Sequence, residues 1–550
     1  MKKQRSVFFV FQFILGLGLL VACNDSSENR SAPADPAPSE TASEKVRTVP
    51  TADPQEIQRL VKNDNSGLKF KQQKLVDSFY AGRSYKAVWD DAEIRNSFLN
   101  ELKKAPEEGL NYQWYQGEEL DKILEGETKI DAGAAAKLDL LLTDAFLNYA
   151  HDLYYGHLDP RKLNESWGIE RAENDLFETL NKVVNKEEPA QVLNDLKPKH
   201  QIYSDLKRSL LEYSKKEESG TSVQISKGDL IRKGEYDPRI PAVASRLKDL
   251  GYTLPKNTPD SLYSDSLQEV VKSFQKERGL LTDGIIGNST IEELNLGPAE
   301  RYGQILANLE RWRWYPRDLG EHYVVINIPN FKLAVVKKGD TIRQHSVIAG
   351  SRARPTPIFS DITEYIVLNP KWHIPPTIKT QDVIPRASRD GNYLASHNMS
   401  VFNSAGEKLD PAFIDWSSPQ VRSYSFVQSA GPSNPLGRLK IIYPNRFLVY
   451  LHDTPGQALF EQNQRAESSG CVRVENAVDL AAYILKDQED WDEEKIQEVI
   501  NSGKTMQVKI DRPLRVHHLY WTAWRAGNKT VFTNDVYDLD KKIYDQLLKN

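Results

Sequence analysis

The chain has 550 residues and a formal net charge of −5, and 27% of its residues are charged. Its length predicts about three or four domains, each able to bury a core. The small negative charge, with basic and acidic residues mixed along the chain, argues against nucleic acid as a partner, because no broad basic surface is available to neutralise phosphates.

The N-terminus has the pattern of an export signal. Lys2, Lys3 and Arg5 precede an uncharged apolar run over residues 6–22. A membrane span is the weaker alternative, because the run is short and lies at the very N-terminus. The sequence Leu-Val-Ala-Cys ending at Cys23 resembles a bacterial lipobox. This resemblance implies that residues 1–22 are a lipoprotein signal peptide and that the Cys23 sulfur receives a diacylglycerol.

Residues 23–52 are predicted to be a flexible tether. The segment 24–50 is rich in Ser, Pro, Ala, Glu and Asp and has no aromatic residue, so it cannot bury enough apolar surface to order itself; it would reach on the order of 30 Å. With a lipid on Cys23, we expect a membrane-anchored lipoprotein in the periplasm of a Gram-negative bacterium. Asn24 and Asp25 do not decide between the inner and the outer membrane. Cys471 then has no disulfide partner and stays a free thiol.

Residues 53–222 are predicted to be helical. Leu138–Leu153 is long, apolar on more than one side and free of Gly and Pro, which is typical of a buried helix. His151 and His157 would face different sides of a helix without a third ligand, so we expect structural roles for them rather than metal ligation. Trp89-Asp90, Gly109–Tyr112 and this helix, in that order, resemble the scaffold domain at the N-terminus of large L,D-transpeptidases.

Residues 228–298 are predicted to be a compact three-helix module. Helices are expected over Ile240–Leu250, over Ser266–Arg278 and from Thr290, and glycines follow the first two. Together with Asp283–Thr290, these segments resemble the peptidoglycan-binding type 1 module. The resemblance implies peptidoglycan as a partner, and a helical spacer that binds nothing is the alternative.

A helical connector over residues 299–319 leads into a mostly β catalytic domain over residues 320–512. Alternating β-branched and apolar residues predict its strands, which are His322–Asn327, Phe331–Val336, Thr341–Ala349, Glu364–Leu368, Leu439–Tyr443, Phe447–Leu451 and Thr505–Ile510. The long, weakly periodic segment 372–432 is predicted to be a capping insertion. Residues 513–550 form a C-terminal extension. The expected fold class is therefore multidomain α+β.

Cys471 and His452 are the candidate catalytic residues. We expect Cys471, in the run Ser468–Val474, to lie on a turn that opens into a helix, where the helix dipole lowers the thiol pKa and favours thiolate. The N–H groups of Gly470 and Cys471 would receive an oxyanion, and His452 would be the general base. Taken alone, each of these residues has a structural role as the alternative to a catalytic one, since a Cys is often a small buried hydrophobic residue.

Taken together, His-Asp-Thr-Pro from His452 and Ser-Ser-Gly-Cys-Val-Arg-Val from Ser468 resemble the catalytic motif of the YkuD-type L,D-transpeptidases. Arg354-Pro-Thr-Pro and Asn434-Pro-Leu-Gly add agreement in the same chain order. With the helical region and the module, the chain resembles the large, multidomain, periplasmic branch of that family. The resemblance implies that Cys471 is the nucleophile and His452 its base.

The same resemblance assigns roles to neighbouring residues. Tyr450 would position the substrate or contribute to the oxyanion hole, and Arg473 would steady the active-site loop or bind a substrate carboxylate. An internal salt bridge is an equal alternative for Arg473. Many family members carry His at the position of Ser469, so His452 is here the sole base within the motif.

Asp453 is expected to point away from His452, because neighbours on a strand face opposite sides. A backbone carbonyl is therefore the better candidate for orienting the imidazole. No set of metal ligands is evident, since His517 and His518 are adjacent on a predicted strand, and we expect no cofactor.

The implied reaction is a two-step acyl transfer on peptidoglycan stem peptides. Cys471 would form a thioester with the third residue of a tetrapeptide stem and release D-alanine, and the side-chain amine of a neighbouring stem would resolve it as a 3→3 cross-link. The alternatives are a thiol carboxypeptidase or amidase of the same fold that trims stems or releases wall-bound protein, and a non-catalytic wall-binding scaffold. β-Lactams, carbapenems in particular, are expected to acylate Cys471.

Overall fold

The computed structural model describes residues 49–62, 68–126, 129–217, 223–255 and 261–549. The predicted signal peptide, the lipidation site Cys23 and nearly all of the predicted tether lie outside these ranges. Within them, none of the helices combines the length and the apolar character that crossing a bilayer requires.

The first half of the described chain is helical. Helices α1 to α13 are Pro54–Lys62, Gln73–Gly82, Ala92–Leu102, Gly117–Glu125, Ala132–Tyr155, Pro160–Leu163, Leu176–Val184, Pro189–Leu196, Gln201–Glu217, Ile240–Asp249, Asp265–Glu277, Asn288–Asn295 and Pro298–Trp314. The central α5 is capped by Asp131, whose side chain accepts the Ala134 N–H, and it is buried over most of its length, as its apolar sequence predicts.

The second half is mostly β. Strands β1 to β17 are His322–Asn327, Lys332–Lys337, Asp340–Gly350, Phe359–Ile362, Tyr365–Leu368, Trp372–His373, Met399–Phe402, Lys408–Leu409, Ser425–Gln428, Leu439–Ile442, Leu451–His452, Ala466–Ser468, Val472–Val474, Met506–Lys509, Arg515–Leu519, Ala523–Ala526 and Lys529–Phe532. Helices α14 to α19 are Pro376–Ile378, Ile384–Ala387, Tyr393–Ser396, Ala477–Leu485, Glu493–Asn501 and Leu539–Lys549. The predicted α+β fold class is confirmed.

One large sheet forms the centre of the β region. Its strands run in the order β14-β5-β10-β11-β13-β3-β2-β1-β15-β4, with β12 beside β3. The parallel pair β11 and β13 occupies the middle, so their side chains are supported by neighbours on both sides. Strand β15 pairs with β1 and β4, and the sheet thus continues past residue 512, the predicted end of the domain.

The predicted strand Phe447–Leu451 is largely wrong. Leu448 has φ +57°, a left-handed conformation that interrupts an extended strand. Only Leu451 and His452 pair with neighbouring strands. This turn directs main-chain groups of residues 448–450 toward the neighbouring loop, where Cys471 lies.

The capping insertion folds around its own small sheet. Strands β6, β9, β7 and β8 pair in that order, and the buried apolar residues between them and helices α14 to α16 include Ile374, Val383, Leu394, Val401 and Phe426. Burial of such side chains stabilises the unit by about 1.5–3 kcal/mol each. The insertion is therefore a folded subdomain.

The module and the connector pack within the same compact unit as the sheet. Helices α10 to α12 enclose a separate apolar core. Helix α13, predicted as a connector, is buried along almost its whole length, and its Arg311 pairs with Asp540 of α19 at 2.7 Å. It is thus a central helix of the protein. His151 and His157 both hydrogen-bond to Asp152, a structural role.

Candidate active site

Two parallel strands bring four of the predicted site residues to one face of the sheet. Leu451 pairs with Val472 and His452 with Arg473. Because side chains alternate along a strand, Tyr450 and His452 face the same side as Cys471 and Arg473. All four line a cavity of about 720 Å³ between the sheet and the capping insertion.

His452 is held as a neutral base. Its side chain is 5% exposed, and Nδ1 lies 2.5 Å from the Asp453 carbonyl oxygen. A carbonyl can only accept, so Nδ1 carries the proton and Nε2 keeps its lone pair. Burial is the main cause that lowers the pKa of His452 to about 4; the hydrogen bond to the Asp453 carbonyl opposes the shift, and the positive charges of Arg473 and Lys440 add to it. The imidazole is thus unprotonated at neutral pH.

The Asp453 carboxylate does not orient His452. It is buried on the other side of the strand, where Oδ2 accepts from Arg438 Nε at 2.7 Å and from the Arg438 N–H at 2.9 Å. Gly437 lies against it, with φ +59°, and a Cβ there would come within 2.6 Å of Asp453 Oδ2. The Asn434–Gly437 turn therefore requires glycine at this position.

The predicted thiolate at Cys471 is wrong. Burial raises the pKa of the thiol to about 11, although hydrogen bonds from Tyr450 and the charges of Lys440 and Arg473 oppose the rise. Cys471 leads into strand β13, and α17 begins only at Ala477, so the helix dipole does not act on the sulfur. The thiol donates instead to the Leu448 carbonyl, with Sγ 3.8 Å from the oxygen.

Only one of the two predicted oxyanion donors is available. The Gly470 N–H, in a residue with φ +110°, donates to Ser468 Oγ at 3.1 Å. The Gly470 carbonyl accepts from Thr356 Oγ1 at 2.9 Å. The Cys471 N–H has no acceptor among the described residues. The prediction for the Gly470 N–H is thus corrected, and the Cys471 N–H is the backbone group that can face a substrate carbonyl.

Tyr450 lies between the thiol and the capping insertion. Its hydroxyl is close enough to the Cys471 sulfur and to the Trp372 indole N–H for both to influence its pKa, the sulfur raising it and the indole lowering it. Its ring meets the His452 ring edge-on, with the centroids 5.8 Å apart. Burial raises the pKa of Tyr450 far above its usual value, so the hydroxyl remains protonated and can donate.

Two cations face this side of the sheet, and neither forms an ion pair with a carboxylate of the residues that the structure describes. Arg473 forms no ion pair within the described ranges, and its buried Nε has no hydrogen-bond acceptor there, which disfavours the salt-bridge alternative. Lys440 pairs with His452 across β10 and β11, and its Nζ lies 5.1 Å from the centroid of the Tyr450 ring. Both charges favour a developing thiolate.

Ser469 is tied to the capping insertion through Arg354. Its Oγ accepts from Arg354 Nη1 at 3.0 Å, and the same Nη1 donates to Asp382 Oδ2 at 2.7 Å. Arg354 Nη2 also donates to Gln381 Oε1 at 2.7 Å. Arg354 therefore connects the loop before Cys471 to the capping insertion.

Three family models match separate parts of the chain. Residues 74–210 match a scaffold domain, residues 237–294 match a domain described as "putative peptidoglycan binding domain", and residues 321–508 match the L,D-transpeptidase catalytic domain known as YkuD. All the side chains that line the cavity fall in the third match. This chain carries an L,D-transpeptidase catalytic domain.

Curated relatives match parts of this chain over part of their own length. A Haemophilus influenzae protein named "Putative L,D-transpeptidase" is 36% identical over 220 residues, 40% of this chain and 45% of that protein. The chain thus matches less than half of that relative. The N-acetylmuramoyl-L-alanine amidase CwlL of Bacillus licheniformis is 33% identical over 81 residues, 15% of this chain and 22% of that protein.

One solved structure matches this chain at low identity. An L,D-transpeptidase from Xylanimonas cellulosilytica is 17% identical, with a TM-score of 0.17, over 55% of this chain and 100% of that chain. A score that low does not establish a common fold.

Two residues of the L,D-transpeptidase site were missed from the sequence. Lys440 sits within the apolar strand Leu439–Ile442, and a charged residue amid apolar neighbours was a signal that could have been used. Leu448 had no such signal, because nothing in its side chain indicates its left-handed conformation. No group of three or more His, Cys, Asp or Glu side chains in the described ranges is placed to hold a metal ion.

Proposed function

We propose that this protein is a cysteine-dependent L,D-transpeptidase that forms 3→3 cross-links between peptidoglycan stem peptides. The supporting observation is that Cys471, Tyr450 and the neutral imidazole of His452 lie on one face of the sheet and line one cavity between the sheet and the capping insertion. Covalent acyl transfer requires a nucleophile and a base that act on the same substrate, and the thiol, which donates to the Leu448 carbonyl in the resting structure, would turn toward His452 for the attack.

In the first step, the Cys471 sulfur attacks the carbonyl carbon of the third stem residue while His452 Nε2 takes the thiol proton. The carbonyl oxygen becomes negative in the tetrahedral intermediate, where the Cys471 N–H can stabilise it. When the intermediate collapses, the bond to the terminal D-alanine breaks and its amine takes the proton from His452. The product is a thioester on Cys471.

In the second step, the side-chain amine of a neighbouring stem attacks the thioester carbonyl and gives its proton to His452. The carbon–sulfur bond then breaks, the sulfur recovers a proton, and the new amide is the cross-link. The capping insertion covers the cavity and limits the access of water, which competes with the amine for the thioester.

In the resting state of this mechanism both the Cys471 thiol and the His452 imidazole are neutral. The pKa of Cys471 is raised to about 11 and that of His452 is lowered to about 4, so the charged pair is not populated near pH 7. Deprotonation is therefore coupled to attack on the substrate, and Lys440 and Arg473 lower its cost by stabilising the negative sulfur.

The proposal includes the location and partners predicted from the sequence. A diacylglycerol on Cys23 would anchor the chain to a membrane in the periplasm, and the module at residues 228–298 would bind peptidoglycan. Both would raise the local concentration of stems. Carbapenems would acylate Cys471, because a strained amide carbonyl can take the place of the donor.

The deciding experiment is incubation of the purified protein with disaccharide tetrapeptide, followed by mass spectrometry. We expect a cross-linked dimer and free D-alanine, and neither product from Cys471→Ala or His452→Ala. Tripeptide without dimer would favour the carboxypeptidase alternative. Wall binding without any product, unchanged by Cys471→Ala, would favour the scaffold alternative.

A further inference from the structure

The C-terminal extension returns to the active site although it lies beyond the matched catalytic domain. Tyr537 is 9% exposed, and its hydroxyl donates to the Gly350 carbonyl at 2.7 Å. The same oxygen accepts the Thr356 N–H at 3.1 Å. The single hydroxyl of Tyr537 thus fixes both ends of the loop 350–356, which borders the residues before Cys471.

Thr356 carries this link to the catalytic loop. Its buried Oγ1 donates to the Gly470 carbonyl at 2.9 Å and accepts the Gly350 N–H at 2.8 Å. Each of the two hydroxyl groups therefore donates one hydrogen bond to a carbonyl and accepts one from a backbone N–H. A Cβ on Gly350 would collide with the backbone of Arg354 and Thr356, so the tight loop requires glycine.

The contact to Gly470 bears on the chemistry through peptide geometry. The Gly470 carbonyl and the Cys471 N–H belong to one trans peptide unit, in which the C=O and N–H bonds point in opposite directions. When Thr356 holds the carbonyl, the Cys471 N–H is directed to the other side. That N–H is the one available oxyanion donor found in this loop.

We propose that Tyr537 is a positioning residue of the active site: through Gly350 and Thr356, its hydroxyl holds the Gly470–Cys471 peptide with the Cys471 N–H facing the substrate carbonyl oxygen. The inference rests on the proposed function, since it assumes acylation of Cys471. It extends the catalytic unit to residues outside the matched range 321–508.

Tyr537 is itself rigidly held. Its N–H donates to the Tyr520 hydroxyl at 3.0 Å, and Tyr520 donates in turn to Asp535 Oδ1 at 2.5 Å. The neighbouring Asn534 N–H donates to the Arg278 carbonyl of the binding module at 3.2 Å. The segment that carries Tyr537 is therefore anchored on both sides, as a positioning role demands.

The test compares two reactions of the same sulfur in the full chain. Acylation by disaccharide tetrapeptide or by a carbapenem develops an oxyanion, whereas alkylation by iodoacetamide displaces iodide at a tetrahedral carbon and develops none. Loss of an oxyanion donor costs about 10²–10³ in kcat, and misdirection of one should cost less. For Tyr537→Phe we expect acylation to fall about tenfold to a hundredfold, with KM and the alkylation rate changed by less than about threefold.

Matched variants separate positioning from general disturbance. Tyr544→Phe removes a hydroxyl from the same extension that makes no hydrogen bond within the described ranges, and it should change neither rate. Thr356→Val should reproduce the loss seen with Tyr537→Phe, and Thr356→Ser, which keeps the hydroxyl, should restore acylation. These two variants also decide the matter if Tyr537→Phe does not fold.

The inference is overturned if Tyr537→Phe acylates like the unmodified chain, or if acylation and alkylation fall together. It is also overturned if Thr356→Val and Thr356→Ser behave alike. Failure of the proposed function would show differently, as absence of cross-linked product from the unmodified chain. Acylation by a carbapenem would still report on Tyr537 in that case.

Discussion

Lys440 and His452 lie directly opposite one another on antiparallel strands, so an ammonium group and the proposed base share one face of the sheet. The Lys440 Nζ lies 5.1 Å from the centroid of the Tyr450 ring, and no carboxylate of the described chain pairs with it. Burial lowers the pKa of Lys440, and the negative charge of ionised Cys471 opposes that shift. The cation is thus placed to stabilise the sulfur as it loses its proton.

Replacing Lys440 with Met, which has a similar length and no charge, should raise the pKa of Cys471 further. One pKa unit changes the thiolate population tenfold, so we expect alkylation by iodoacetamide at pH 8 to slow about threefold to tenfold. Lys509→Met removes an exposed charge from the edge strand β14 and serves as the control. Equal alkylation rates in the two variants would assign Lys440 a purely structural role.

The pH dependence of the alkylation rate and of kcat/KM should show whether Cys471 and His452 rest as a neutral thiol and imidazole or as a thiolate and imidazolium. Since the pKa of Cys471 is raised to about 11, the alkylation rate should keep rising with pH above 9. Since the pKa of His452 is lowered to about 4, the base form is present above that pH, and kcat/KM should fall only as the pH drops toward 4. An alkylation rate that is already constant below pH 7 would contradict this assignment and indicate a thiolate.

The predictions that succeeded rest on alternation and local pattern. The opposite orientations of His452 and Asp453 follow from period two in a strand, and the structure has both. The helices of the module follow from apolar spacing and glycine stops. These features depend on residues close together in sequence, so the sequence alone contains the information.

The failures concern groups brought together from distant segments. The pKa of Cys471 depends on its burial and on the charge of Lys440, which reaches it from another strand. Tyr537 is linked to the loop before Cys471, through Gly350 and Thr356, from a segment that no motif marks. Burial and long-range hydrogen bonds of this kind need the tertiary structure, because neither composition nor spacing encodes them.

Asp453→Asn tests whether the main chain alone orients His452. The substitution keeps the shape but removes the buried charge that pairs with Arg438. We expect the free energy of unfolding to fall by about 1–3 kcal/mol, with kcat within about threefold, whereas loss of a general base costs about 10²–10⁴. Thermal unfolding measures the loss of stability, and steady-state rates compared with those of His452→Ala measure any loss of catalysis. A loss in Asp453→Asn as large as that in His452→Ala would make Asp453 a catalytic partner.

The contact between Arg354 and Asp382 offers a test of the capping insertion. Arg354 joins Asp382 to Ser469 beside the nucleophile, so breaking the ion pair should let the insertion move away and admit water. A partly exposed ion pair contributes about 1 kcal/mol or less, so its loss can raise the ratio of open to closed insertion by up to about fivefold. In Asp382→Asn we expect the ratio of tripeptide to dimer to rise about twofold to fivefold. Asp410→Asn makes the same change of charge on the insertion away from Arg354, and it should leave the ratio unchanged. An unchanged ratio in both variants would show that the contact between Arg354 and Asp382 does not control the access of water to the thioester.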